Sequence, residues 1–111
     1  NYTFAYNNLG LVFKELGKHK KAINCYEKAI QIDPNFVNAY NNLGTILSEL
    51  NHVIEAKKYF EKSLNLDPNR EKTCENYSDI LFKLNQHRKA LVYLRKGTGL
   101  IRFTQKDFKI I

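Results

Sequence analysis

The sequence predicts an all-α fold, a solenoid of three helix-turn-helix hairpins followed by a short C-terminal capping helix. Three observations predict it. The hexapeptide AYNNLG occurs at residues 5–10 and again 34 residues later, at 39–44. The tripeptide DPN recurs at the same offset, at 33–35 and 67–69. Apolar residues within each unit recur at helical spacing in two blocks. A fixed period of this size marks stacked supersecondary units, none of which buries its apolar face alone.

Residues 3–36 laid over 37–70 agree at 14 of 34 positions. Residues 71–104 carry the register more weakly, through Asn76, Leu84 and Ala90. In the first unit, Tyr6, Leu9, Gly10 and Phe13 form the apolar stripe of one helix. Ala22, Tyr26 and Ala29 form that of the second. Gly17 lies between them, and Asn51 and Asn85 stand at the same place in the later units. Glycine and asparagine tolerate the left-handed conformation just past a helix end. Pro34 and Pro68 then stop the second helices. Asn35 and Asn69 are suitable N-caps for the helices that follow. Gly10 and Gly44, with Ala22 and Ala56, allow the antiparallel pair to approach closely.

These residues resemble the tetratricopeptide repeat. The first unit matches as Tyr6, Leu9, Gly10, Phe13, Ala22, Tyr26, Ala29 and Pro34. The second matches as Tyr40, Leu43, Gly44, Leu47, Ala56, Phe60, Ser63 and Pro68. The third departs, with Cys74, Tyr77, Ser78 and Leu81, then Ala90, Leu94 and Gly97, and Arg102 where proline would stand. The resemblance implies a right-handed superhelix and a single domain over 1–111, with repeats 3–36, 37–70 and 71–104. Asn1-Tyr2 aligns with Asn35-Phe36, so the chain is expected to be part of a longer protein with at least one repeat upstream. At the other end, Thr104 with Asp107 makes a variant capping box, and Phe108, Ile110 and Ile111 are apolar. Residues 104–111 are therefore expected to cap the last hairpin, as solenoids require.

The net charge is +7, split as +2 over 3–36, zero over 37–70 and +5 over 71–111. Cys25 and Cys74 lie in helical stretches with no metal-ligand spacing and read as packed free thiols, which suits a reducing, weakly cytoplasmic setting. His19, His52 and His87 fall one per unit near turns, too far apart to share a metal. "GTG" at 97–99 is too short for a phosphate cradle, and a break after the last hairpin explains it. No metalloprotease, nucleophile-elbow or phosphate-loop motif is present. The expectation is a non-enzymatic chain with no cofactor, no metal and no membrane span.

The binding expectation rests on the outward stripe of each first helix. Its members are Phe4, Asn8, Leu11 and Glu15; then Asn38, Asn42, Thr45 and Glu49; then Lys72, Asn76, Asp79 and Lys83. Asn7, Asn41 and Glu75 flank it. Asn8, Asn42 and Asn76 hold one register position in all three units. Asparagine is a mediocre helix former but offers one acceptor and two donors on a short arm. A row of such amides can pair with the backbone of an extended peptide; alternatively the amides bond to neighbouring repeats. The row is similar to that in the repeat array of O-linked N-acetylglucosamine transferase, a resemblance that implies peptide contact at Asn8, Asn42 and Asn76. The carboxylate clamp of the family fits poorly, because only Asn42 and Lys72 match. The leading expectation is a module binding an extended peptide or partner protein. One variant of it is the substrate-presenting arm of a larger glycosyltransferase, sulfotransferase or hydroxylase. Self-association through exposed solenoid ends is a further possible partnership. Nucleic-acid binding through the basic residues 83–109 is the rival, disfavoured because no base-reading code is evident.

Overall fold

The computed structural model describes residues 2–98, which form six helices in three antiparallel hairpins. The first helices are α1 (Thr3–Glu15), α3 (Val37–Glu49) and α5 (Glu71–Lys83). The second helices are α2 (His19–Ile32), α4 (Val53–Leu66) and α6 (His87–Thr98). The expected cap over 104–111, with Thr104 and Asp107, lies outside the described residues.

The turn inside each hairpin is the same device three times. Gly17, Asn51 and Asn85 have φ of 74°, 64° and 62°. In the first, the Gly17 N–H donates to the Lys14 carbonyl and the Lys18 N–H to that of Phe13. Asn51 and His52 repeat this with Ser48 and Leu47, and Asn85 and Gln86 with Phe82 and Leu81. This paired closure satisfies carbonyls that the helix end leaves open.

Between hairpins, α2 and α4 end just before Asp33-Pro34 and Asp67-Pro68. The expected caps Asn35 and Asn69 do not serve as caps. The N-cap residues are Phe36 and Arg70, without a side-chain cap bond. Pro34 and Asn35 are spent on a turn, closed by the Phe36 N–H on the Asp33 carbonyl and the Asn35 N–H on Asp33 Oδ1. The Tyr40 hydroxyl donates to the Pro34 carbonyl at 2.8 Å. In the third unit the Cys74 thiol takes that role on Pro68, at 3.8 Å. Cys25 and Cys74 are buried free thiols, and burial raises both pKa values.

Each hairpin closes by setting a ring on a missing side chain. A Cβ on Gly10 would lie 2.5 Å from the Tyr26 ring, and one on Gly44 would lie 2.6 Å from that of Phe60. The third hairpin reverses the arrangement. Its first helix carries Ser78 at the glycine position, and its second carries Leu94 where the ring stood. The glycine moves across to α6, where a Cβ on Gly97 would meet the Glu71 carbonyl and the Glu75 nitrogen at 2.9 Å each. Gly97 is thus a buried residue within α6, not the break that "GTG" suggests. Close helix approach is kept while the side supplying the small residue changes.

The core runs through all three hairpins, from Tyr26 and Leu43 to Phe60, Tyr77, Ile80 and Ala90. Second helices pack on the next hairpin's first helix, α2 on α3 and α4 on α5. First helices also touch one another, α1 with α3 and α3 with α5, whereas among the described residues no two second helices touch. The first helices therefore line the inside of the curve.

Candidate peptide-binding face

The asparagine row lies on that inner side, and the structure ties it together across repeats. Asn42 Nδ2 donates to Asn7 Oδ1 at 2.8 Å. Thr73 Oγ1 donates to Asn41 Oδ1 at 3.0 Å. Asn76 Nδ2 donates to Thr45 Oγ1 at 3.4 Å, while Thr45 Oγ1 donates to the Asn41 carbonyl. Residues of one first helix are thus stitched to those of the next.

The expected site residues separate into three environments. Asn8, Lys72 and Asp79 are exposed. Asn38, Asn42, Thr45 and Asn76 are half-buried. Asn7 and Asn41 are buried, with their carbonyl oxygens used as inter-repeat acceptors. The structural and ligand roles weighed for the amides are therefore not exclusive. Asn42 and Asn76 each commit one N–H to the preceding repeat, and their Oδ1 atoms have no protein partner among the described residues. Asn8 has none for either end of its amide.

Phe4 and Leu11, in the same stripe, are 64% and 38% exposed. Phe4 stands edge-on to Phe36 at 5.0 Å between centroids. At the far end of the stripe, Lys14 pairs with Glu49 at 3.4 Å across the first two repeats. Phe4 and Leu11 belong to the predicted outward stripe but not to the expected contact residues. Their signal was large apolar side chains at positions that turn away from the partner helix.

Charge is divided between the two sets of helices. First helices carry three basic and five acidic side chains, a net of −2. Second helices carry ten basic and three acidic, a net of +7. Among the described helices, the net positive charge thus lies away from the asparagine row. A cavity of about 330 Å³ also lies away from it, lined by Glu61, Leu64, Asn65, Tyr77, Lys89 and Tyr93. Among the described residues, no group of three or more His, Cys, Asp or Glu side chains is placed to hold a metal. No described helix is long and apolar enough to cross a membrane.

Comparison with known proteins agrees with the repeat fold. The family model "TPR repeat" matches residues 10–51, and "Tetratricopeptide repeat" matches 37–70 and 71–103. No curated protein matches the sequence. Among solved structures, the second TPR of Spaghetti (RPAP3) bound to the HSP90 peptide SRMEEVD is 20% identical, with a TM-score of 0.86 over 90% of this chain and 93% of that one. At that identity the likeness concerns the fold alone. YrrB, a TPR protein with an unusual peptide-binding site, is 27% identical, with a TM-score of 0.81 over 86% of this chain. PilF of Pseudomonas aeruginosa is 26% identical, with a TM-score of 0.81 over 87% of this chain. This chain spans 49% of YrrB and 45% of PilF.

Proposed function

Since the chain belongs to the tetratricopeptide-repeat family, we propose that it is a protein-interaction module holding an extended peptide, or an extended segment of a partner protein, against its first helices. The observation that carries this reading is the repeated amide. Asn8, Asn42 and Asn76 stand one per repeat on the inner side, each with a side-chain carbonyl oxygen that has no partner among the described residues. Amides in such a row satisfy backbone N–H and C=O groups with little demand on peptide sequence. That YrrB binds peptide on a similar fold supports the reading. The substrate-presenting arm of a larger enzyme would use the same row, with the chemistry located elsewhere.

The test is a peptide-array screen followed by anisotropy titration of the best binder. Replacing all three asparagines with alanine should abolish binding while leaving helical content intact by circular dichroism. Undiminished binding by the folded triple variant would sink the amide row as the site.

A second reading rests on the charge division. Ten cations on the outer helices, with Arg88, Lys89, Arg95 and Lys96 together on α6, supply a surface for nucleic acid. Arg102, Lys106 and Lys109, in the same basic stretch 83–109, lie outside the described residues. RNA affinity that falls steeply between low and moderate salt supports this reading, and no binding at low salt ends it.

A further inference from the structure

The cavity of about 330 Å³ lies between α4 and α6, with α5 as its floor. That volume is at the lower end of the range of ligand pockets, roughly 300–1,000 Å³. Two of its lining residues carry opposite charge, Glu61 from α4 and Lys89 from α6. Among the described residues neither is in an ion pair, with the other or with a third group.

One buried ring positions both charges. Tyr77, 1% exposed, donates its hydroxyl to Glu61 Oε2 at 2.8 Å. Lys89 Nζ stands over the same ring, 5.7 Å from its centroid. Glu61 thus meets the ring at its hydroxyl edge and Lys89 at its face, which puts the two charges roughly 8 Å apart. Glu61 Oε1 has no partner among the described residues. Leu64, Asn65 and Tyr93 complete the wall, and the Tyr93 ring stands edge-on to Tyr77 at 4.7 Å between centroids. One repeat earlier, the register holds Leu43 in place of Tyr77 and Glu55 in place of Lys89. There the acid Glu27, in register with Glu61, is matched by a second acid and has no phenol to hold it.

Independently of the amide row, we propose that this cavity binds a small zwitterion, an α-amino acid, with its ammonium on Glu61 and its carboxylate on Lys89. A lone anion meets the Glu61 carboxylate inside the cavity, and a lone cation meets Lys89. A ligand carrying both charges is complementary to both. An α-amino acid holds its ammonium about 3 Å from its carboxylate oxygens and reaches each partner across one hydrogen bond of about 2.8 Å, which spans the gap. Its side chain lies against Leu64 and Tyr93, where apolar contact is favourable. Around the cavity the balance of charge is positive. α4 adds three lysines against Glu55, α6 adds Arg88, Arg95 and Lys96, and α5 adds no charged side chain to the lining. An amino acid with an extra carboxylate is therefore favoured over one with an extra ammonium.

The test uses the 111-residue chain labelled with nitrogen-15 and titrated separately with L-leucine, L-glutamine, L-glutamate and L-lysine into the millimolar range. Saturable shifts should appear at the amides of Glu61, Tyr77 and Lys89 and not on α1. N-acetyl-L-leucine, which lacks the ammonium, and L-leucinamide, which lacks the carboxylate, should each bind roughly three- to tenfold more weakly than L-leucine. Glu61→Gln should weaken L-leucine and leave N-acetyl-L-leucine unchanged. Lys89→Gln should weaken L-leucine and leave L-leucinamide unchanged. Both replaced residues are on the helix surface, and unchanged circular dichroism checks that each variant is folded. Lys89→Glu, which copies the earlier junction, should abolish binding. The proposal is overturned if none of leucine, glutamine and glutamate gives a saturable shift there. It is overturned equally if both capped analogues bind as well as leucine, if L-lysine binds more tightly than L-glutamate, or if binding survives Lys89→Glu.

Discussion

The side-chain amide of Asn42 donates to the carbonyl oxygen of Asn7 at 2.8 Å, across the boundary between the first two repeats. One residue of the outward row is therefore also a fastener between hairpins, whereas Asn8 in the same row has no repeat before it among the described residues to bond. A net contribution of about 1 kcal/mol is ordinary for such a bond. Asn42→Ala should lower stability by about that amount in urea denaturation, and Asn8→Ala should leave it unchanged within about 0.5 kcal/mol. Both should weaken the peptide complex. Equal stability losses would mean that the inter-repeat bond contributes nothing.

Gly44 lies under the Phe60 ring, with room for hydrogen only. Gly44→Ala should destabilise by about 1–3 kcal/mol through overpacking. Combining it with Phe60→Leu, the residue type found at this register in the third hairpin, should recover part of the loss. Gly97→Ala meets backbone rather than a ring that can shift. It should be the more damaging of the two in thermal unfolding, and no second-site change of a side chain should rescue it.

The Tyr26 hydroxyl is buried and has no hydrogen-bond partner among the described residues. The next repeat places Phe60 at this register. Removing an unsatisfied buried hydroxyl relieves a desolvation cost of about 1–3 kcal/mol. Tyr26→Phe should thus be neutral to stabilising, by as much as about 1 kcal/mol. A clear loss of stability in urea would show that the hydroxyl has a partner after all.

Alkali should loosen the array in a defined window. Burial, with the charges of Cys25, Glu49 and Glu15 behind it, pushes Tyr26 up to about 12. Burial, and then the hydrogen bond it donates to Glu61 at 2.8 Å, holds Tyr77 well above the ordinary 10.0. Both phenols are protonated in the fold and ionise more readily in the unfolded chain. Their stabilising contribution is complete below pH 10 and declines as pH rises through the raised values. Tyr26→Phe should flatten the decline between about pH 10 and 12, measured by urea midpoints. An unchanged slope in that variant would mean that other groups govern the alkaline limit.

Much of this was legible beforehand, and the reasons for the rest are physical. The period, the three left-handed turn residues and the hairpins followed from local chemistry that repeats. The role of Asn42 did not, because helical spacing fixes which way a side chain leaves its own helix, not which neighbour the superhelix brings to it. Burial was equally hidden for Leu9 and Leu43, which occupy the same hexapeptide. Leu9 is 43% exposed and Leu43 1%, because α3 has the second helix of the preceding hairpin, α2, against it as well as its own partner α4, while α1 has no preceding hairpin's helix against it among the described residues. Val12 and Leu16 extend that open stripe at 53% and 63% exposure.

That stripe gives a further prediction. An open helix face of this size favours contact with another apolar surface. Sedimentation of the chain should show concentration-dependent self-association, and Leu9→Lys with Val12→Lys should reduce it. A monomer at all concentrations would leave the α1 face without that role.

The reversed glycine of the third hairpin bears on how such a gene can change. Tandem repeats invite unequal crossing-over, and most exchanges between the first two units would join compatible halves. An exchange uniting α5 with α4 would set Ser78 beneath Phe60, where even a methyl group has no room. The converse would join the glycine of α3 to a helix bearing Leu94 and Gly97, and leave a hollow. The two helices of the third unit are therefore matched to one another, and an exchange that broke between them would lose the close approach that each hairpin needs.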